Sequence, residues 1–288
     1  MKASISTMQL CRTIAEMRTA AGALKAKNLT LGFVPTMGAL HEGHLSLVRA
    51  AKERCDRVAV SIFVNPTQFG PNEDFSKYPR TFDRDRELLE SEGVDLLFAP
   101  STEEMYPPGA ITYVTVEELS EKLDGKSRPG HFRGVTTVVS KLFNIIQPEV
   151  AFFGQKDAAQ VAVIRRMVRD LNLPVEIAAC PIVREPDGLA MSSRNRYLDA
   201  NQRKTALVLS RSLARVQELF AQGERDAQNL ITAGKLLFGG ELDVRLDYFE
   251  IVDPETLDAI STLRDPALVA VAAFVGSTRL IDNRLLQI

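Results

Sequence analysis

Residues 33–51 read FVPTMGALHEGHLSLVRAA and join a short apolar run to a helical pattern. Phe33 and Val34 are typical of a buried strand, which Pro35 is expected to end, and the apolar residues from Leu45 onward recur at helical spacing. The segment between them is therefore predicted to be a loop from a strand to a helix. In an α/β sheet, such a loop lies where unpaired backbone N–H groups and the helix dipole favour a phosphate.

His41 and His44 stand in this loop, and they are two of the three histidines in the chain. A pair of histidines at a helix start could simply cap the helix, or could form half of a metal site. The metal site is the weaker alternative, because no Cys, Asp or further His follows at ligand spacing. Gly38 and Gly43 beside them favour a third interpretation, in which the histidines donate to a phosphate.

Two further predicted strands end in polar loops. Residues 58–64, VAVSIFV, and residues 150–153, VAFF, are typical of parallel strands that are buried on both faces. The first run is followed by NPTQFG at 65–70, and the second by GQKD at 154–157. Because the carboxyl ends of parallel strands meet at one edge of a sheet, both loops should open beside the histidines. Lys156 alone could be an ordinary surface residue, and its place at this edge makes it a candidate for phosphate binding.

The remaining patterns of the first 180 residues alternate between helices and strands. Apolar spacing and β-branched runs predict helices over 7–24, 82–92, 135–146 and 161–171, and strands over 96–99, 112–116 and 175–179. This alternation predicts an α/β fold with a Rossmann-like, doubly wound parallel sheet. The basic, glycine-rich residues 121–134, EKLDGKSRPGHFRG, could be a solvated loop or a mobile lid over phosphates.

The pattern changes near residue 183. Two helices are predicted first and three strands follow, over 201–221, 226–238, 246–252, 268–274 and 279–281. This order predicts a second, smaller α+β domain, so the expected domains are residues 1–182 and 183–288. The segment REPDGLAMSSR at 184–194 contains a predicted turn at PDG and lies at the junction. Its two serines could be helix caps or phosphate contacts.

Composition limits the possible partners. The 288 residues are 45% hydrophobic and 25% charged with a net charge of −2, which predicts no general attraction to nucleic acid or to a membrane surface. The first residues lack the pattern of a signal peptide, so we expect a cytoplasmic protein. Cys11, Cys55 and Cys180 are odd in number and widely spaced, which predicts neither a disulfide framework nor a zinc site.

The H-x-G-H motif at 41–44 resembles the signature of the nucleotidyltransferase superfamily that includes class I aminoacyl-tRNA synthetases. The longer string PTMGALHEGHLSLV is similar to one family of that superfamily, the pantothenate synthetases or pantoate–β-alanine ligases. Five blocks in order carry this resemblance, at residues 35–44, 61–81, 128–148, 151–160 and 184–198.

The resemblance implies a site at named positions. The family's proton donor falls on His44, and its pantoate-binding glutamines fall on Gln68 and Gln160, of which Gln68 also serves β-alanine. The positions implied to contact ATP are Met37, Gly38, Ala39, Leu40, His41, Glu42, Gly43, His44, Gly154, Gln155, Lys156, Asp157, Val183, Met191, Ser192, Ser193 and Arg194. Among these, we assign catalytic roles to His44, Lys156 and His41, while the metal ligands stay open.

The activity implied by the resemblance is the ATP-dependent condensation of (R)-pantoate with β-alanine through a pantoyl adenylate, giving pantothenate, AMP and diphosphate. It also implies Mg²⁺, a homodimer and domain closure over the intermediate. Two other functions are weighed against it, a nucleotidyltransferase that stops after nucleotide transfer and a catalytically idle nucleotide-binding regulator. A tRNA synthetase is disfavoured because no basic anticodon-binding module follows.

Overall fold

Six strands form one parallel sheet in the computed structural model of the protein, which describes residues 8–71, 73–264 and 266–287. In chain order the strands are β1 (Gln9–Cys11), β2 (Leu31–Thr36), β3 (Arg57–Ile62), β4 (Leu96–Phe98), β5 (Val150–Gly154) and β6 (Glu176–Cys180). Their order across the sheet is β1-β4-β3-β2-β5-β6. The doubly wound parallel sheet predicted from the sequence is therefore confirmed.

The strand order reverses direction between β2 and β5. From β2 the chain builds outward through β3 and β4, then returns to pair β5 with the other side of β2, where Phe33 lies opposite Ala151. Loops that leave two adjacent strands to opposite sides open a crevice at their carboxyl ends, and ligands of open α/β sheets bind there. The loops at 37–41 and 155–157 flank this crevice.

Helices cover both faces of the sheet, because successive strand residues point to opposite faces. Phe33 joins one apolar cluster and Val34 the other, and Phe153 and Phe152 divide in the same way. The helices of this part of the chain are α1 (Ile14–Lys25), α2 (Glu42–Arg54), α3 (Phe82–Ser91), α4 (Thr102–Met105), α5 (Asp124–Ser127), α6 (His131–Ile146) and α7 (Ala158–Asp170).

The C-terminal third forms a smaller α+β unit, as predicted. Three strands, β7 (Val244–Val252), β8 (Ala267–Val275) and β9 (Thr278–Leu286), pair antiparallel in that order. They follow the helices α8 (Ala200–Ala206), α9 (Val208–Ala221) and α10 (Ala227–Leu236). Within the described ranges, no helix is long and apolar enough to span a bilayer. The domain boundary between residues 182 and 183 stays a prediction.

The strand predicted over 112–116 is wrong. This segment has no strand partner among the described residues, since Val114 is hydrogen-bonded to α6 instead. The Val114 N–H donates to Thr137 Oγ1 at 3.0 Å, and Thr136 Oγ1 donates to the Val114 carbonyl at 2.6 Å. The β-branched composition gave the segment a strand pattern, while two threonine hydroxyls of the neighbouring helix satisfy its central backbone groups.

The first predicted helix and the predicted end of β2 also need correction. Residue 7 lies outside the described residues, and Gln9–Cys11 is an edge strand paired with β4, so the helix begins only at Ile14. Thr13 follows that strand and starts α1 with a capping box, in which its hydroxyl accepts from the Glu16 N–H. Pro35 does not end β2, because pairing with β5 stops at Phe33 and only β3 continues alongside.

Two other segments differ from their predictions. The single helix predicted over 201–221 is divided into α8 and α9 by a tight turn at Leu207, whose N–H donates to the Lys204 carbonyl at 3.3 Å. Residues 121–134 are largely helical, so the alternative of a solvated loop is wrong, and the alternative of a lid stays a prediction. A Cβ on Gly125 would lie 1.9 Å from the Ser120 carbonyl oxygen, and one on Gly134 would lie 2.4 Å from that of Thr67. The glycines allow close packing of backbones here.

Candidate active site

One crevice between β2 and β5 collects most of the residues that the sequence singled out. The predicted site residues that line it are Met37, His41, Gly43, His44, Gln68, Gly154, Lys156, Asp157, Gln160, Val183, Met191, Ser192, Ser193 and Arg194. Among the described residues, three cations lie on its wall, Arg128, Lys156 and Arg194, against one carboxylate, Asp157. Each of these cations also has a carboxylate within ion-pair distance, Glu73 for Arg128, Asp157 for Lys156 and Asp74 for Arg194, so the wall offers oriented cationic donors to an anionic ligand without an excess of charge. The individual roles of these residues stay predictions.

The two histidines are stacked at the start of α2. His41 precedes the helix, and its N–H lies 3.4 Å from Nδ1 of His44, while their ring centroids are 4.1 Å apart. A Cβ on Gly43 would lie 3.0 Å from the His41 ring, so this position needs a small residue. His41 Nδ1 is buried without a hydrogen-bond partner among the described residues.

Five residues that the sequence implied as ATP contacts lie outside the lining. Glu42 forms an ion pair with Arg49 on the surface, and Gln155 Nε2 approaches Asn283 Oδ1 at 3.5 Å. The other three, Gly38, Ala39 and Leu40, form a turn beneath the histidines.

A buried carboxylate of α3 holds this turn. Asp85 accepts the backbone N–H of Ala39 at 2.7 Å and that of Leu40 at 2.8 Å, and it is fully buried. Gly38 and Ala39 both have positive φ, +81° and +52°, and the Gly38 N–H donates to Thr36 Oγ1 at 3.2 Å, so the N–H groups of the turn are bound within the protein. The sequence motif therefore combines residues that line the site with residues that support it.

Burial keeps all three histidines neutral. It lowers the pKa of His44 to about 3, assisted by the nearby His41 and Lys156. Burial also lowers the pKa of His41 to about 4, with Lys156 adding to the effect, and that of His131 to about 4, with Arg128 adding. In any of these places a charged imidazole would be poorly hydrated and close to a cation, and both effects disfavour the charged form. The histidines therefore act as neutral donors or acceptors.

These lowered pKa values predict that the protein loses stability as pH falls from 8 to 5. A histidine with a folded-state pKa near 4 binds fewer protons than the unfolded chain once pH drops below about 6.5, so acid favours unfolding. Each such histidine should cost about 2 kcal/mol over this range. Urea unfolding at pH 8 and at pH 5 measures the change in free energy.

The His131→Gln variant serves as the control for that measurement. It removes one of the three titrating groups, so its free energy of unfolding should change less between the two pH values. Glu73 and Asp74 do not contribute in this window, because their pKa values are lowered from 4.5 and 3.8. Equal pH dependence in wild type and variant would mean that His131 is not held neutral by the fold.

The loop after β5 brings Lys156 to the crevice. Its Nζ lies 3.7 Å from Asp157 Oδ1, and the side chain is 19% exposed. Asn283 of β9 holds the loop from the other side, donating to the carbonyls of Gln155 at 2.9 Å and Lys156 at 2.8 Å. A Cβ on Gly154 would meet no atom within 4 Å, which leaves open space beside the lysine.

A hairpin brings further lining residues next to the histidine loop, since a Cβ on Gly43 would lie 3.7 Å from Met191 Cβ. The turn predicted at PDG is confirmed, with Gly188 at φ +94° and its N–H donating to the Glu185 carbonyl at 2.8 Å. The hairpin sets Met191 beside Val183, whose carbonyl accepts the Met191 N–H at 3.0 Å. Ser192 then accepts from the Arg194 N–H at 3.2 Å, so the residue acts as a cap of the following turn while lining the crevice.

Gln68 also lines the crevice and is 8% exposed. Asn65 fixes its orientation, because Asn65 Nδ2 donates to Gln68 Oε1 at 3.0 Å and to the Gly134 carbonyl at 3.1 Å. Gln68 Nε2 is then the free end of the amide and approaches Met37 Sδ at 3.2 Å. Apolar residues of α6 lie beside it, namely Val135, Val138, Val139 and Leu142. Around Gln68, the crevice therefore combines one oriented amide with an apolar wall.

Several lining residues were missing from the sequence-based site. Arg128 and His131 belong to the segment predicted as a loop or lid, where only their basic character was a signal. His131 Nδ1 lies 2.8 Å from the Gln68 carbonyl, and Arg128 Nη1 lies 3.0 Å from His131 Nε2. Tyr78 is 5% exposed and approaches Ser193 Oγ at 3.4 Å, yet nothing in its sequence context distinguished it from a core tyrosine.

The described residues contain no cluster of three or more His, Cys, Asp or Glu side chains that could hold a metal ion alone. Asp157 is the carboxylate on the crevice wall, and it stands beside Lys156. A cation here would need most of its ligands from the substrate and from water.

Comparison with known proteins places the chain in a family. It matches the family model described as pantoate-beta-alanine ligase over residues 9–285. Proteins named pantothenate synthetase from Acidobacterium capsulatum and Koribacter versatilis are 60% and 61% identical to it, over 97% of this chain and 97% and 96% of the relatives.

Solved structures agree with the sequence relatives. A pantothenate synthetase from Thermus thermophilus aligns with a TM-score of 0.91 at 49% identity, covering 96% of this chain and 99% of that chain. A pantoate-beta-alanine ligase from Francisella tularensis, complexed with beta-gamma ATP and beta-alanine, aligns with a TM-score of 0.77 at 36% identity, covering 96% and 97%. This chain therefore belongs to the pantoate-beta-alanine ligase family.

Proposed function

We propose that the protein condenses (R)-pantoate with β-alanine at the expense of ATP, releasing AMP and diphosphate. One observation carries the proposal beyond family membership: the loops after β2 and β5 bring His44 and Lys156 to one crevice, which Gln68 and apolar residues of α6 also line. The histidine and the lysine suit a triphosphate, and the amide with its apolar neighbours suits a small hydroxy acid with an apolar body.

In the first step, a carboxylate oxygen of pantoate attacks the α-phosphorus of ATP, and the bond to the leaving diphosphate breaks. Negative charge then develops on the phosphate oxygens. Lys156 supplies a cation there, neutral His44 donates a hydrogen bond, and the N-terminal end of α2 adds a favourable dipole. His41 and residues 192–194 add further donors on the same wall.

Mg²⁺ belongs to this proposal as a companion of the triphosphate. Asp157 is the residue on the crevice wall that could contribute a carboxylate oxygen, with phosphate oxygens and water supplying the other ligands. When bound, the ion would supply charge neutralisation for the phosphates. The absence of a preformed acidic cluster among the described residues fits an ion that arrives with its nucleotide.

In the second step, the neutral amine of β-alanine attacks the carbonyl carbon of the pantoyl adenylate, the amide bond forms, and AMP leaves. The mixed anhydride is already reactive, so this step mainly requires an oriented amine and the exclusion of water. The carboxylate of β-alanine needs a cation near Gln68. Arg128 meets that need, because its Nη2 lies 3.4 Å from the Gln68 carbonyl.

The experiment that tests the proposal separates the two steps. The protein is incubated with ATP, Mg²⁺, pantoate and labelled pyrophosphate, with and without β-alanine. We expect pyrophosphate exchange with pantoate alone, and stoichiometric release of AMP and pantothenate only when the amine is present. No exchange would favour an inactive nucleotide-binding regulator, and steady AMP release without the amine would indicate a hydrolase. Transfer of AMP to a phosphorylated acceptor would indicate the rival nucleotidyltransferase.

Two further expectations, about the oligomeric state and the cellular location, accompany the proposal. The resemblance implies a homodimer, and light scattering should give a mass twice that of one chain. A cytoplasmic location fits an enzyme that consumes ATP, and fractionation of expressing cells tests it. Both stay predictions.

A further inference from the structure

Two neighbouring carboxylates on the loop between β3 and α3 bind two arginines that line the crevice. Glu73 pairs with Arg128, accepting from Nε at 2.7 Å and from Nη2 at 2.6 Å. Asp74 pairs with Arg194, accepting from Nε at 3.0 Å and from Nη2 at 2.9 Å. One dipeptide therefore holds two arginines that come from separate parts of the chain, the start of α6 and the junction after the hairpin.

In both ion pairs the carboxylate binds the edge of the guanidinium formed by Nε and Nη2. This geometry leaves N–H donors of the arginine that the carboxylate does not use and that a ligand could bind. A guanidinium has five N–H donors in a rigid fork, and each carboxylate occupies only the edge formed by Nε and Nη2. Nη1 of Arg128 faces His131 Nε2 at 3.0 Å. Nη1 of Arg194 has no hydrogen-bond partner within residues 8–71, 73–264 and 266–287. The carboxylates orient the arginines without using all of their donors.

The pairs are also sheltered from solvent. The side chains of Arg128 and Glu73 are 17% and 24% exposed, and those of Arg194 and Asp74 are 28% and 24% exposed. In this environment an ion pair is screened less than at the surface, and a long arginine side chain is held in one position. Both arginines line the crevice, Arg194 beside Ser192 and Ser193, and Arg128 beside Gln68 and His131.

We propose that Glu73 and Asp74 are positioning residues that direct the two arginines to two different substrates. Asp74 directs Arg194 toward the phosphates of ATP, and Glu73 directs Arg128 toward the carboxylate of β-alanine. The inference rests on the proposed function, since it assigns each arginine to a substrate of that reaction. The proposal predicts that Asp74 controls the KM for ATP and that its neighbour Glu73 controls the KM for β-alanine.

The test uses the isosteric variants Asp74→Asn and Glu73→Gln. An amide retains one acceptor oxygen but turns an NH₂ group toward a guanidinium N–H, so one of the two hydrogen bonds is lost and the arginine becomes free to rotate. Asp74→Asn should raise the KM for ATP in pyrophosphate exchange about 10-fold, with the KM for β-alanine unchanged. Glu73→Gln should raise the KM for β-alanine about 10-fold and leave exchange unchanged.

A matched control tests the effect of losing an ion pair as such. Asp170 pairs with Arg166 on the exposed surface of α7. Asp170→Asn should leave the KM values for ATP, pantoate and β-alanine unchanged. If either crevice variant raises the KM values for ATP, pantoate and β-alanine together, the loop has only a structural role. A lower KM for ATP in Asp74→Asn would show that Asp74 restrains Arg194 instead of directing it. Wild type that lacks exchange would refute the proposed function itself.

Discussion

Replacing Lys156 with methionine is expected to lower the rate of pyrophosphate exchange by about 10²- to 10³-fold, the loss typical of removing one donor to a developing charge. The side chain is 19% exposed, and its loop is held by two hydrogen bonds from Asn283, so the ammonium is fixed where the phosphates would lie. Methionine keeps the length and the apolar stem of lysine. The measurement is the exchange rate at saturating ATP and pantoate.

The control for this variant is Lys204→Met, which changes an exposed lysine of α8 and should leave exchange unchanged. The melting temperature of Lys156→Met should stay close to wild type, since the ion pair that it loses, with Asp157, joins neighbouring residues and is partly exposed. If Lys156→Met retains exchange within a few-fold of wild type, the lysine is not part of the adenylation site.

The fold was predictable where the hydrophobic pattern of a segment alone indicated how the segment is buried. Phe33 and Val34 are consecutive apolar residues, and the run at 150–153 is apolar at every position, which indicates strands covered on both faces, and the structure has β2 and β5 there. Prediction failed where tertiary contacts decided the outcome. Residues 112–116 have a strand composition, but the hydroxyls of Thr136 and Thr137 bind the backbone of Val114. Residues 9–11 form a short edge strand whose pattern merged with that of α1.

The site was predictable to the extent that it consists of strand-end loops. The order of parallel strands explains why His44 and Lys156, far apart in sequence, line one crevice. The sequence could not predict which motif residues face inward. Gly38, Ala39 and Leu40 are turned toward α3, because Asp85 accepts two of their N–H groups, and that partner is 45 residues away. For the segment of Arg128, the sequence gave only its basic, glycine-rich character as a signal, which left a solvated loop and a lid as alternatives.

His44→Ala is expected to lower pyrophosphate exchange by about 10²- to 10³-fold, for a reason that differs from the loss of a cation. His44 is neutral in the free enzyme, because burial, His41 and Lys156 lower its pKa to about 3. Its Nδ1 faces the His41 N–H at 3.4 Å and therefore accepts, which leaves the proton on Nε2. The residue thus offers one neutral N–H donor to a phosphate oxygen.

If His44 acts as a neutral N–H donor through Nε2, a glutamine at this position should partly restore pyrophosphate exchange. The amide nitrogen of a glutamine can occupy the position of Nε2, so His44→Gln should retain about 10-fold more exchange than His44→Ala. Asparagine places its amide where Nδ1 lies and should not rescue. Equal losses in the glutamine and alanine variants would show that an N–H donor at Nε2 is not what the reaction requires.

The pH dependence distinguishes this neutral donor from the proton donor that the resemblance implied for His44. An imidazolium acid would make kcat/KM for exchange fall as pH rises through its pKa, and the free enzyme sets that pKa. Because the pKa of His44 is about 3, no such decline should occur between pH 6 and pH 8 in wild type. A decline in that range that disappears in His44→Gln would mean that the histidine is charged in the free enzyme. Burial would then be less complete in solution, and His44 would give up a proton when the diphosphate leaves.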